Sequence, residues 1–154
     1  MNDSYPMKVK AQPSIKILLA DDDKDDRFLF DLALKKLSVV PDLKSVPDGE
    51  RLLTYLSANS ETLPDILFLD LNMPRKNGSE CLVEIKRQEK LKHIPVIIYS
   101  TSIPPSIADI LHENGAHYYL QKCDYPGLVI CLQKIFDKLA VNPDQPSRDN
   151  FMIN

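Results

Sequence analysis

Several things are missing from this 154-residue chain, and each absence narrows what it does. Its three cysteines, Cys81, Cys123 and Cys131, are odd in number and form no C-x-x-C pair, so neither a disulfide framework nor a cysteine metal ribbon is expected and the thiols read as reduced. Basic residues are not in excess: 19 Lys and Arg stand against 22 Asp and Glu, for a net charge of -3. They are scattered among the acids, which leaves no electrostatic footprint for nucleic acid. No apolar run approaches the roughly 20 residues needed to span a bilayer. The first 14 residues hold no apolar stretch flanked by basic ones, so no secretory leader is expected. These absences predict a cytoplasmic protein with no membrane and no nucleic-acid partner. We find no internal repeat and no second domain.

What is present is an alternation of short apolar runs with segments of helical periodicity, the pattern of parallel strands joined by crossover helices. Five units can be counted. Ile15-Lys16-Ile17-Leu18-Leu19-Ala20 precedes a helix whose inner face is predicted to carry Phe28, Leu29, Leu32 and Ala33. A short strand over 43–46 leads to a helix that opens near Asp48 and carries Leu52, Leu53 and Leu56. The third run, Asp65-Ile66-Leu67-Phe68-Leu69-Asp70, is apolar throughout its middle, as a central strand covered on both faces requires. A loop over 72–78 then leads to a helix with Cys81, Leu82 and Ile85. Pro95-Val96-Ile97-Ile98-Tyr99 leads to a helix opened by Pro104-Pro105, with Ile107, Ile110 and Leu111 expected inward. Tyr118-Tyr119-Leu120-Gln121 leads to a last helix with Leu128, Leu132, Ile135, Phe136 and Leu139. The expected organisation is a flexible segment over 1–13, one α/β domain over 14–140 and a flexible tail over 141–154.

The polar residues collect at one edge of this arrangement. In a doubly wound sheet, ligands bind beyond the carboxyl ends of the strands. Asp21 and Asp22 follow the first strand, Asp70 ends the third, Ser100 follows the fourth and Lys122 follows the fifth. Carboxylates held this close repel one another unless a cation compensates, and hard oxygen donors suit Mg²⁺. The set is suited to phosphoryl transfer, with Asp70 as nucleophile, Lys122 neutralising a phosphoryl oxygen and Ser100 donating a hydrogen bond.

In these residues the chain resembles the response-regulator receiver family, in organisation the single-domain chemotaxis type. The likeness rests on Leu18-Leu19-Ala20-Asp21-Asp22, Leu69-Asp70-Leu71-Asn72-Met73-Pro74, Ile98-Tyr99-Ser100-Thr101, and Gly115-Ala116-His117-Tyr118-Tyr119-Leu120-Gln121-Lys122. The resemblance implies a doubly wound, five-stranded parallel sheet of flavodoxin-like order 2-1-3-4-5, with helices on both faces. It implies that Asp70 accepts a phosphoryl group from a phosphohistidine on a sensor kinase or phosphotransfer protein. It implies that Asp22, Asp70 and the backbone carbonyl of Asn72 ligate Mg²⁺, with Asp21 assisting through water. The switch residues would be Ser100 and Tyr119, and the partner face the fourth helix, fifth strand and fifth helix, roughly 105–139. Such a protein catalyses only its own phosphorylation and dephosphorylation, acts through a downstream target, and is a monomer or weak dimer.

The pattern is broken once, at Cys123, where receivers usually carry a proline that is often preceded by a cis bond. Thr101 is bulkier than the smallest side chains found beside the hydroxyl residue and narrows the approach to Asp70. Two other readings stand beside this one. A phosphatase of the haloacid dehalogenase type needs a second aspartate two residues after the first, and here that position is Asn72. A receiver-like module that works without phosphorylation is opposed by the complete set Asp21, Asp22, Asp70, Ser100 and Lys122. Asp23, Asp25 and Asp26 read as helix-capping acids. His93, His112 and His117 lack ligand spacing, and Phe151-Met152-Ile153-Asn154 closes the tail with apolar side chains.

Overall fold

The strand sequences divide by the faces they cover. In the computed structural model, which describes residues 14–153, β1 (Ser14–Ala20) lies between β2 (Val40–Val46) and β3 (Ile66–Leu69), with β4 (Val96–Ser100) and β5 (Tyr118–Gln121) beyond β3. All pairings are parallel. Every residue of β3 and β4 is buried, because helices cover both faces of these central strands. Side chains alternate between two cores. Leu18, Leu67, Leu69, Val96 and Ile98 face one, built with α2 (Gly49–Ala58), α3 (Gly78–Arg87) and α4 (Pro105–Glu113). Ile17, Leu19, Phe68, Ile97 and Tyr99 face the other, built with α1 (Lys24–Leu34) and α5 (Tyr125–Val141).

The helices open where their caps dictate. Asp23, Asp48 and Asp124 accept hydrogen bonds from first-turn amides of α1, α2 and α5, and Asn77 closes a reciprocal capping box with Glu80 on α3. The structure departs from the sequence reading in four places. First, β2 begins at Val40, three residues earlier than expected; it is an edge strand that tolerates Pro41, so its mixed composition hid its length. Second, α1 turns Phe30, Ala33 and Leu34 inward and leaves Phe28 63% exposed, because Phe30 meets Phe68 edge to face at 4.9 Å. Third, α4 buries Ala108 and Leu111 while Ile107 and Ile110 stay exposed. Fourth, among the described residues the sheet has six strands, not five, because the expected flexible tail folds back as far as Ile153. After a 3₁₀ turn at Arg148–Asn150, β6 (Met152–Ile153) pairs in parallel with β5. The expected flexible segment 1–13 lies outside the described residues.

The strand order changes direction between β1 and β3, which puts the carboxyl ends of β1, β3, β4 and β5 around one crevice.

Candidate functional site

Main-chain hydrogen bonds stitch these strand ends together. The Asp21 N–H donates to the Val46 carbonyl at 3.0 Å, the Asp70 N–H to Ala20 at 2.9 Å, and the Lys122 N–H to Ser100 at 2.7 Å. The side chains that follow therefore meet. Asp70, 4% exposed, receives hydrogen bonds on both oxygens: Ser100 Oγ and the Asn72 N–H each donate to Oδ1 at 3.2 Å, and Lys122 Nζ donates to Oδ2 at 3.1 Å. Gly78, the first residue of α3, packs on the Asp70 main chain so closely that a Cβ there would overlap the Asp70 carbonyl oxygen. The nucleophile candidate is thus fixed in both side chain and backbone.

Asp21 is fully buried beside it. The Asp23 N–H donates to its Oδ1 at 2.9 Å, while Lys122 Nζ lies 3.0 Å from Oδ2 as an ion pair outside hydrogen-bond geometry. Burial pushes its pKa up to about 6, opposed by the Asp23 amide and Lys122. Burial works against the Lys122 charge too, but Asp26, Asp21 and Asp70 outweigh it and hold the ammonium above the ordinary lysine range. Carboxylate oxygens of Asp21, exposed Asp22 and Asp70 all lie within 4.8 Å of one another. Three carboxylates at that separation, one buried with an oxygen lacking a hydrogen-bond donor, fit a hard divalent cation.

Of the residues predicted for the site, Asp21, Asp22, Asp70, Asn72, Ser100 and Lys122 are at this edge. Tyr119 is set back from it: its ring is buried in the core and its hydroxyl donates to the Thr101 carbonyl, in the loop that follows Ser100. The Lys122–Cys123 peptide is trans. Thr101 is exposed and lines a cleft with Asn72, Asn77, Ser102 and Ile107 beside Asp70.

The sequence reading missed Asp26. Assigned only to capping, it instead gives Lys122 its shortest ion pair, 2.8 Å from Nζ to Oδ2. Its place three residues past the Asp23 cap, in the first turn of a helix that starts at the crevice, was the available signal. Arg27 also escaped notice; its Nη1 donates to the Asp21 carbonyl at 2.6 Å.

The sequence pattern of the response regulator receiver domain matches residues 17–130. This chain belongs to the response regulator receiver family. It is 33% identical over 120 residues to the response regulator Rcp1 of Synechocystis sp., a match covering 75% of this chain and 82% of Rcp1. The structure of Mn(2+)-bound Rcp1 superposes with a TM-score of 0.74 at 30% identity, covering 86% of this chain and 99% of that one. The phosphorylated cyanobacterial phytochrome response regulator RcpA gives a TM-score of 0.75 at 31% identity, covering 85% and 96%. The receiver has a phosphoacceptor signalling function in two-component systems. Its acidic cluster is of the kind that binds divalent metal, and among the described residues no helix is long and apolar enough to cross a membrane.

Proposed function

We propose that this receiver takes the phosphoryl group on Asp70 from a phosphohistidine on a sensor kinase or phosphotransfer protein, with Mg²⁺ as the resident ion. The observation that carries the reading is the hold on Asp70: an ammonium on one oxygen, a hydroxyl and an amide on the other, and two more carboxylates within reach of one cation. A carboxylate oxygen of Asp70 attacks phosphorus in line, and the phosphorus–nitrogen bond of the donor breaks with its electron pair returning to the imidazole. Lys122, released from Asp70, neutralises a phosphoryl oxygen, and Ser100 turns its hydroxyl from Oδ1 to another. Asp21, Asp22, Asp70 and the main-chain carbonyl of Asn72 would hold the Mg²⁺, whose charge offsets the crowded carboxylates and the incoming group.

The output is a shift between two arrangements of Ser100 and Tyr119. Phosphorylation favours one only by the difference in interaction energy it makes with each. The protein turns over no external product beyond its own acylphosphate, works in the cytoplasm as a monomer or weak dimer, and presents residues of roughly 105–139 to a downstream target. Titration of Mg²⁺ followed by beryllofluoride, an aspartyl-phosphate analogue, tests the metal set. Asp22→Asn is expected to weaken Mg²⁺ binding at least about tenfold and to abolish the response to beryllofluoride; unchanged binding would remove Asp22 from the site.

A further inference from the structure

With five strands, β5 would end the sheet and expose a row of unpaired main-chain groups. Residues 143–153 fill that edge. The Tyr119 N–H donates to the Phe151 carbonyl at 2.8 Å, and Tyr119 and Leu120 stand opposite Met152 and Ile153. Phe151 is fully buried in the same core cluster as Tyr119, with ring centroids 6.5 Å apart, and meets the His112 ring edge on at 5.5 Å.

The segment is also tied along its length. Gln145 Nε2 donates to the carbonyls of His112, in the last turn of α4, and of Ala116, just before β5, at 2.7 and 2.8 Å. The Pro146 carbonyl lies 2.8 Å from His112 Nε2, and the Pro143 carbonyl 3.2 Å from His117 Nε2. Arg148 pairs with Asp109 of α4 at 2.6 Å and lies over the Phe151 ring. This is strand addition with an aromatic anchor and a charged clamp, the way extended peptides bind sheet edges.

We infer that the β5 edge beside α4 is a strand-receiving site, and that residues 143–153 are its intrachain ligand, a strap that fixes Tyr119 in its buried position. The inference rests on the reading of Tyr119 as a switch residue. A partner reaching the β5 edge must displace the strap or dock on the surface it creates. Because strap and phosphoryl group act on the same Tyr119, each alters the equilibrium for the other by one shared factor. In receivers the aromatic residue turns into the space that the hydroxyl residue leaves on phosphorylation, so a strap that holds Tyr119 buried sets that arrangement in advance and lowers the conformational cost of charging Asp70.

The test uses the full chain, with amide hydrogen exchange and acetyl phosphate labelling on wild type, Phe151→Ala and, as a surface variant that leaves the core intact, Arg148→Ala. Wild type is expected to protect the Tyr119 amide and the hydrogen-bonded amides of the strap, those of Asn150 and Phe151 among them, and to protect the latter further with Mg²⁺ and beryllofluoride. Phe151→Ala is expected to raise exchange over 143–153 and at Tyr119 about tenfold or more while β1 and β3 stay protected, and to slow labelling. Arg148→Ala should move both readouts the same way by less. Unprotected 143–153 amides in wild type, or unchanged labelling when Phe151→Ala frees the segment, would overturn the strap. Protection that rises with protein concentration would give the segment to a second copy and overturn the intrachain assignment. A wild type that takes no phosphoryl group overturns the phosphoacceptor reading instead, and exchange in the Phe151→Ala variant still decides whether the strap exists.

Discussion

Lys122 Nζ sits 2.8 Å from Asp26 Oδ2 and 3.1 Å from Asp70 Oδ2, so the strand-end site shares the Lys122 ammonium with a helix carboxylate. Asp26 competes with any phosphoryl oxygen for that charge. Asp26→Asn is therefore expected to raise the acetyl phosphate labelling rate, by up to about fivefold for a part-exposed ion pair worth about 1 kcal/mol or less. Mg²⁺ affinity measured alongside should change little. A slower rate in the variant would mean that Asp26 aims Lys122 instead of diverting it.

Gly78 offers a test of the backbone under Asp70. A Cβ at this position would overlap the Asp70 carbonyl oxygen and come within 2.9 Å of Leu71 Cα, neither of which is a flexible side-chain end. Gly78→Ala is expected to lower stability by about 1–3 kcal/mol, the usual cost of overpacking, and to lower labelling more than Mg²⁺ binding. Thermal melts and labelling rates on the same preparation check both. A neutral variant would show that the loop over 71–77 gives way freely.

The pH dependence of stability has a distinct contributor at His117. Burial, with the Lys86 charge second, pushes its pKa from 6.5 down to about 4, against the pull of the Pro143 and Gly115 backbone and of Asp144. The folded state thus holds the neutral ring while the unfolded chain binds the proton, so stability rises with pH between about 4 and 6.5. Its contribution is complete above pH 6.5 and is lost as the pH falls toward 4, a swing of the order of 3 kcal/mol. His117→Gln should flatten the dependence of the melting temperature over that interval relative to wild type. Parallel profiles for the two proteins would assign the acid loss to carboxylates alone.

How much of this was legible in the sequence depends on what fixed each feature. The central strands and the site edge were readable because β3 and β4 are covered on both faces, which forces unbroken apolar runs, and because the four motif ends fall in strict order along the chain. The faces of α1 and α4 were not, since Phe28 and Phe30 differ little by pattern and the rings of Phe68 and Tyr99, in distant strands, decide between them. Asp26 was hidden by its neighbours, as an acid in a first turn already has a sufficient local reason to be there. The sixth strand was hidden by composition: prolines, serine and asparagine surround two strand residues, and Phe151 is buried by contacts with Tyr119 and His112 more than 30 positions away in sequence.

The most direct test of the central claim is intact mass after incubation with Mg²⁺ and acetyl phosphate, for wild type and Asp70→Asn side by side. A single Mg²⁺-dependent phosphoryl adduct in wild type and none in the variant is the predicted result. An adduct that persists in Asp70→Asn, or a wild type that binds Mg²⁺ yet takes no phosphoryl group from either acetyl phosphate or a phosphohistidine donor, would contradict it.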